Sequence, residues 1–390
     1  MAKDIDLLLL ARPDHSYSIY KGLLKSNINF VYSSFKLMPK WLKRYVKNPR
    51  VRYYSRNYSN CRLLTLFHIY RVKYKKERLE KYEKVLYEFH LSKLFKQVNP
   101  RIIHYWPYLC LDKVRQYKAN HPLVKTYADV YFPCEHWVID NIFPVLSQYG
   151  LEEDPLTKRD AIKLKRVMEF EETFIVPSKF IEETYRHYYP DKHYIVIPYG
   201  MNKWDGYSKR KYKSQSEEIR KFVYAAGSVS IQKGCHYLLR YFKNHPELEL
   251  HIYGIIPDSQ RHLFLEYTSI SNIIFHGLIP KSMMSETMAS YDVGIHLSLY
   301  DAYSLAVGEM MGAGLPVVVS NRTGICSLVK DIGAGVVTNL DDSSIDNSIS
   351  EILKPEYYNK CVDNLDDYMR KSPQYYEDEI VEFYKKQLSE

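Results

Sequence analysis

Two carboxylates and one ammonium in the second half of the chain have the spacing for chemistry on a charged, hydroxyl-rich ligand. In YDAYSLAVGEMMGAGLPVVVS (300–320), Asp301 sits in a loop and Glu309 follows eight positions on, inside a predicted helix. Gly312 and Gly314 break that helix ahead of a Pro-led apolar strand. The order predicts a helix whose N-terminus faces a ligand, with one acid ahead of it and one along it. Helix N-terminal amides and the helix dipole attract phosphate, and carboxylates accept hydrogen bonds from sugar hydroxyls. Phosphate together with hydroxyls describes a nucleotide sugar. Upstream, AAGSVSIQKGCHYLLRYF predicts a strand ending near Gly227, a short loop, and Lys233-Gly234 at a helix start. A lysine there can neutralise a diphosphate leaving group; the plainer reading is a solvated lysine. Glu309 has apolar neighbours (Leu305, Val307, Met310, Met311), where an acid is costly unless it is partnered.

In the first half, DVYFPCEHW ends a predicted strand with Glu135 and His136 at its carboxyl end, and IIHYWPY ends another with His104. A histidine titrates near neutrality and can donate a hydrogen bond to a sugar or a phosphate. It can equally be a satisfied structural residue.

These residues must be held by α/β architecture. Short apolar, β-branched runs alternate with longer helical patterns. Strands are predicted at 5–11, 28–34, 101–106, 129–134, 173–178 and 194–200, then at 222–228, 248–254, 272–277, 292–298, 315–320 and 333–338. Near-continuous apolar runs suit parallel strands covered on both faces, and their alternation with helices implies doubly wound sheets. The two sets of six are separated where MNKWDGYSKRKYKSQS loses periodicity. Two facing Rossmann-like domains follow, residues 1–200 and 216–390 with a linker at 201–215. Ligands are expected in the cleft at the strands' carboxyl ends. The tail, 375–388, is predicted to be a terminal helix of the second domain.

Taken together, these segments resemble the retaining glycosyltransferases of family four, which have the two-domain GT-B fold. GSVSIQKGCHYLL is similar to that family's phosphate-binding turn, and FHGLIPKSMMSETMASYDVGIHLS to its base-proximal loop, helix and strand. DAYSLAVGEMMGAGLPVVVS is similar to its signature of two acids separated by seven residues, and FIVPSKFIEETYRHYYPDKHYIVIPYGMN to its entry into the interdomain linker. The resemblance implies that Glu309 holds the donor ribose, Asp301 a hydroxyl of the transferred sugar, and Lys233 the phosphates. It implies that the backbone amides of Tyr303, Ser304 and Leu305 contact sugar and diphosphate, that the loop around Leu278 borders the base, and that His136 faces the donor. Three features depart from the family pattern. Asp301 replaces a glutamate, Ser228 stands where an arginine is usual, and the first loop (LLARPDHS) lacks a glycine pair but offers Arg12 as a compensating cation. Transfer with retention of configuration, in which the departing diphosphate oxygen helps deprotonate the incoming hydroxyl, is implied by resemblance alone.

The net charge is +9, yet residues 36–84 hold sixteen Lys and Arg against three Glu, so the rest of the chain is slightly acidic. FKLMPKWLKRYVKNPRVRYYSR sets Lys40, Trp41, Lys43 and Arg44 in an apolar and aromatic stripe, which suits an anionic membrane interface. No nucleic-acid motif accompanies the patch. The six cysteines form no CxxC pair, so neither a disulfide framework nor a zinc site is expected. No run approaches the length of a spanning helix. The expectation is a cytoplasmic, membrane-peripheral enzyme without metal or cofactor. It would move a hexose or similar sugar to a glycan or lipid-linked acceptor, as in capsule, O-antigen or other surface polysaccharide assembly. A nucleotide-sugar epimerase of the same fold and a non-catalytic sugar-nucleotide-binding scaffold are the alternatives. Nucleotide, sugar, linkage and oligomeric state are not written in the sequence.

Overall fold

The computed structural model describes the chain except residues 1, 12–15, 35–36, 40–51, 55–56, 60–66, 68–69, 71–73, 75–79, 152–154, 202–212, 214–217 and 372–375. Arg12, Lys40, Trp41, Lys43, Arg44 and nearly all of the expected linker lie outside the described residues.

The first domain contains β1 (Lys3–Leu10), β2 (Phe30–Ser33), a separate parallel pair β3 (Leu37–Pro39) and β4 (Arg52–Tyr54), then β5 (Val98–Tyr105), β6 (Lys125–Asp129), β7 (Thr173–Val176) and β8 (His193–Val196). Its sheet runs β2-β1-β5-β6-β7-β8, every neighbouring pair parallel. The second domain contains β9 (Lys221–Ser228), β10 (Glu249–Ile255), β11 (Ile273–Gly277), β12 (Val293–His296), β13 (Val317–Ser320) and β14 (Gly335–Thr338), in the order β11-β10-β9-β12-β13-β14, again all parallel. The apolar runs do what parallel strands require. Leu8 and Leu10 join one core while Leu7 and Leu9 join the core on the opposite face. Phe222 and Tyr224 divide from Val223 and Ala225 in the same way.

Two features differ from the sequence expectation. The strand expected at 129–134 is β6, Lys125–Asp129; its polar residues are satisfied by distant partners. Lys118 Nζ donates to Thr126 Oγ1 at 2.7 Å, and Thr126 Oγ1 donates to Glu171 Oε1 at 3.1 Å. Tyr131 and Phe132 instead leave the sheet, ahead of Pro133, which has no N–H to donate to a ladder. The terminal helix, Tyr376–Ser389, docks on the first domain and not on the second. It buries Ile380, Val381 and Tyr384 against Leu7, Leu9, Ile19 and Tyr20. Packing is close enough that a Cβ on Gly22 would stand 2.6 Å from the Glu377 carbonyl oxygen. In exchange, the helices Glu135–Asn141 and Phe143–Ser147 bury Val138, Ile142 and Phe143 in the second domain's core beside Cys235 and Leu238. Each domain thus lends the other a helical element.

Candidate functional site

The second sheet has its topological switch point between β9 and β12, because the chain builds outward from β9 to β10 and β11 before returning to β12. The loops leaving these two strands at their carboxyl ends are stitched together. Leu299 N donates to the Gln232 carbonyl at 3.0 Å and Ser298 Oγ to the same oxygen at 3.2 Å. Gly234 permits this approach: its φ is +73°, and a Cβ there would lie 1.6 Å from the Leu297 carbonyl oxygen.

That contact brings Lys233 Nζ to 2.7 Å from Asp301 Oδ2. The same oxygen has the Nε2 of buried His296 at 3.4 Å, and the His296 ring stacks on Tyr224 with its centroid at 5.6 Å. Asp301 Oδ1 accepts from Ser304 N at 2.9 Å and Tyr303 N at 3.4 Å. Burial alone would push the Asp301 carboxyl pKa up; His296 and Lys233 outweigh it and hold the group well below the usual carboxylate range. Asp301 is therefore a stable anion that clamps a lysine on one side and a helix N-terminus on the other. The amides of Tyr303 and Ser304, expected to face a ligand, bond this carboxylate instead. Ser304 precedes the helix Leu305–Gly312 in a left-handed conformation (φ 68°), a strained backbone for a residue with a side chain.

Leu305 is exposed in the first turn, and half-buried Glu309, four residues on, shares its stripe. Val307, Met310 and Met311 face the core. Ser228 ends β9, and its carbonyl accepts from Tyr224 OH at 3.4 Å. Leu278 follows β11 and is exposed. All these positions lie on or after the carboxyl ends of the second sheet's strands.

The first domain meets this edge directly. Ser178 Oγ, just after β7, donates to the Ala302 carbonyl at 2.9 Å, and the Arg322 guanidinium lies 5.5 Å from the Trp137 ring centroid. Among the described residues, His136 makes no direct contact with Lys233 or Asp301. Its Nδ1 stands 3.9 Å from Cys134 Sγ and 3.5 Å from Tyr189 OH, and its ring packs near Tyr188. Tyr188 ends the helix Lys179–Tyr188, which runs roughly 15 Å away from Ser178 at 1.5 Å per residue. His104 is a structural residue: its Nδ1 is 2.5 Å from Tyr384 OH and its Nε2 3.6 Å from Asp129 Oδ2.

Sequence reasoning gave Glu135 too little weight. Its carboxyl is buried and accepts a hydrogen bond from Tyr108 OH; desolvation dominates and pushes its pKa from 4.5 to about 7. A raised folded pKa means this group's stabilisation is complete below about 4.5 and is lost as pH climbs through about 7. The loss is on the order of 3 kcal/mol. Glu135→Gln keeps the Tyr108 contact and removes the titration. Buried His236, held down to about 4, titrates across the same window with opposite sign, so the readout is a difference: the parent's advantage in denaturant midpoint over Glu135→Gln is expected to be larger at pH 5 than at pH 8.

Among the described residues, no group of three or more His, Cys, Asp or Glu is placed to hold a metal ion, and no helix is long and apolar enough to cross a membrane.

Comparison with known proteins bears on this arrangement. Residues 208–371 match the model of the glycosyl transferases group 1 family. A 154-residue stretch is 23% identical to an uncharacterized glycosyltransferase of Methanocaldococcus jannaschii, covering 36% of this chain and 40% of that relative's length. Among solved structures, sucrose-phosphate synthase from Thermosynechococcus elongatus is similar over 99% of both chains (15% identity, TM-score 0.62). Anabaena HepE in complex with UDP and glucose is similar over 98% of this chain and 100% of its own (13% identity, TM-score 0.60). A glycosyltransferase from Rickettsia africae is similar over 99% and 98% (14% identity, TM-score 0.57). The fold of these neighbours is GT-B, two Rossmann-like domains about a cleft.

Proposed function

From the match of residues 208–371 to the glycosyl transferases group 1 model, we infer a glycosyltransferase that takes its sugar from a nucleoside diphosphate sugar. The observation that carries this reading is the Lys233–Asp301 pair at the head of the helix Leu305–Gly312, at the switch point of the family-matched domain. A diphosphate arriving there meets an ammonium already steered to the cleft edge. Lys233 then exchanges its bond to Asp301 for one to phosphate oxygen, and His296 remains beside the Asp301 charge. In this reading Glu309, further along the stripe that begins at Leu305, holds the ribose hydroxyls, and the exposed Leu278 borders the base. Ser228 supplies no charge of its own, which leaves Lys233 as the phosphate's cation in this loop, with Arg12 the candidate second.

The transferred group is a hexose or similar sugar, and the acceptor a glycan or lipid-linked glycan in surface polysaccharide assembly, approached from the basic first-domain segment at an anionic membrane face. In the transfer the sugar C1–oxygen bond to the diphosphate breaks and a C1–oxygen bond to the acceptor hydroxyl forms on the same face. The hydroxyl proton passes to the departing phosphate oxygen, whose charge Lys233 stabilises. His136, turned toward Tyr188 and Tyr189, has no step here. A thermal-shift screen across UDP-, GDP- and dTDP-sugars tests the donor, because a ligand held by the native state raises the melting temperature by mass action. A rise with one nucleotide class is expected; no shift with any of them contradicts the reading. Interconversion of the donor sugar without acceptor identifies an epimerase instead.

A further inference from the structure

The first sheet has its own switch point, between β1 and β5, since the chain visits β2 on one side of β1 before β5 on the other. Trp106 sits there, its N–H bonded to the Leu10 carbonyl at 2.8 Å. From it a run of rings continues along the carboxyl edge. Trp106 and Tyr131 have centroids 6.0 Å apart and planes within 30°, and Tyr131 and Phe132 are 5.1 Å apart. Phe132 is 55% exposed although large aromatics are usually covered. Behind this run Tyr108 meets Trp106 edge-on at 6.0 Å and is itself tied to buried Glu135, so the shelf has a fixed backing.

We propose that Trp106, Tyr131 and Phe132 form a stacking shelf for a pyranose ring of the acceptor. The inference rests on the transferase reading for the word acceptor, though not for the binding itself. Position supports it. Ser178 of the β7 loop touches Ala302, next to Asp301, while the shelf follows β6 and β5, about 5 and 10 Å farther along the sheet at the usual strand spacing. A sugar lying on it is within one or two residues' reach of the transfer point. Chemistry supports it too. Aromatic faces are negative and favour the polarised C–H face of a pyranose, whose hydroxyl rim stays free for solvent and polar groups. An alkyl chain is the competing occupant, and the probe below distinguishes the two.

Saturation-transfer NMR with octyl β-glucoside below its micellar concentration, in the absence of any nucleotide, reads the contact directly. Transfer is expected chiefly to the ring C–H protons, to fall at least threefold in Phe132→Ala, and to persist in Phe132→Tyr. Because Phe132 is more than half exposed, the alanine variant is expected to melt with the parent. Transfer mainly to the octyl protons, or equal transfer in the parent and Phe132→Ala, overturns the shelf. The donor screen fails or succeeds separately, so loss of the transferase reading and loss of the shelf are told apart. If both hold, Phe132→Ala raises the acceptor KM about tenfold and leaves the donor-induced thermal shift unchanged.

Discussion

Lys233→Ala is expected to lower sugar transfer by about 10²–10³-fold, the usual cost of removing one preorganised donor to developing oxyanion charge. The same substitution is expected to leave the two sheets intact, because Lys233 lies in a loop and contributes no side chain to either core. Its effect on Asp301 is separable. Without the ammonium, Asp301 still has His296 and the two amides, so the helix N-terminus remains capped. Asp301→Asn is the informative companion. It releases Lys233 while preserving one acceptor for the Ser304 amide, so binding of UDP, GDP or dTDP is expected to survive as turnover falls. Calorimetric titration of the diphosphates alongside turnover in both variants checks the division. Full turnover in Lys233→Ala would remove the lysine from the site.

How much of this was legible follows from how local each signal is. Strand runs such as Leu7–Leu10 and Val317–Val319 are apolar on both faces, and that pattern needs no knowledge of the partner strand. β6 escaped because Thr126 looks unsuited to a covered strand until Lys118 and Glu171 are seen to satisfy it. The terminal helix was visible in the spacing of Ile380, Val381 and Tyr384, but spacing gives a face and not the surface that receives it. At the site, the sequence placed Lys233 and Asp301 in loops and Glu309 in a helix, and the structure has them so. The direct bond between Lys233 and Asp301, 68 positions apart, was not readable, because it depends on Gln232 meeting Leu299 through space. His296 was hidden for the same reason: along the chain it is one residue of an apolar strand. His136 illustrates the converse. Its position after a strand suggested the cleft, yet rotation about the helix Glu135–Asn141 sends its ring to Tyr188 while the next residue, Trp137, meets Arg322.

Gly234→Ala is expected to be the most damaging small change in the second domain. Two costs combine at this position. An L-residue at φ +73° sits in left-handed backbone, about 1–2 kcal/mol by itself. The added carbon would also lie 1.6 Å from the Leu297 carbonyl oxygen, a backbone atom that cannot rotate away. Relieving that overlap means parting the Gln232–Leu299 stitch, with a cost of roughly 1–3 kcal/mol typical of forced backbone shifts. Together they predict a fall in melting temperature of about 10 °C for a domain of this size. Gly227→Ala is the matched control. It lies seven residues upstream, and a Cβ there meets nothing within 4 Å, so its melting point is expected to move by no more than a degree or two. Parting the stitch also displaces the Lys233 backbone from the loop edge, so Gly234→Ala is expected to lose nucleoside diphosphate binding even at temperatures where it stays folded. Equal behaviour of the two variants would mean that the approach of these loops neither stabilises the domain nor positions the lysine.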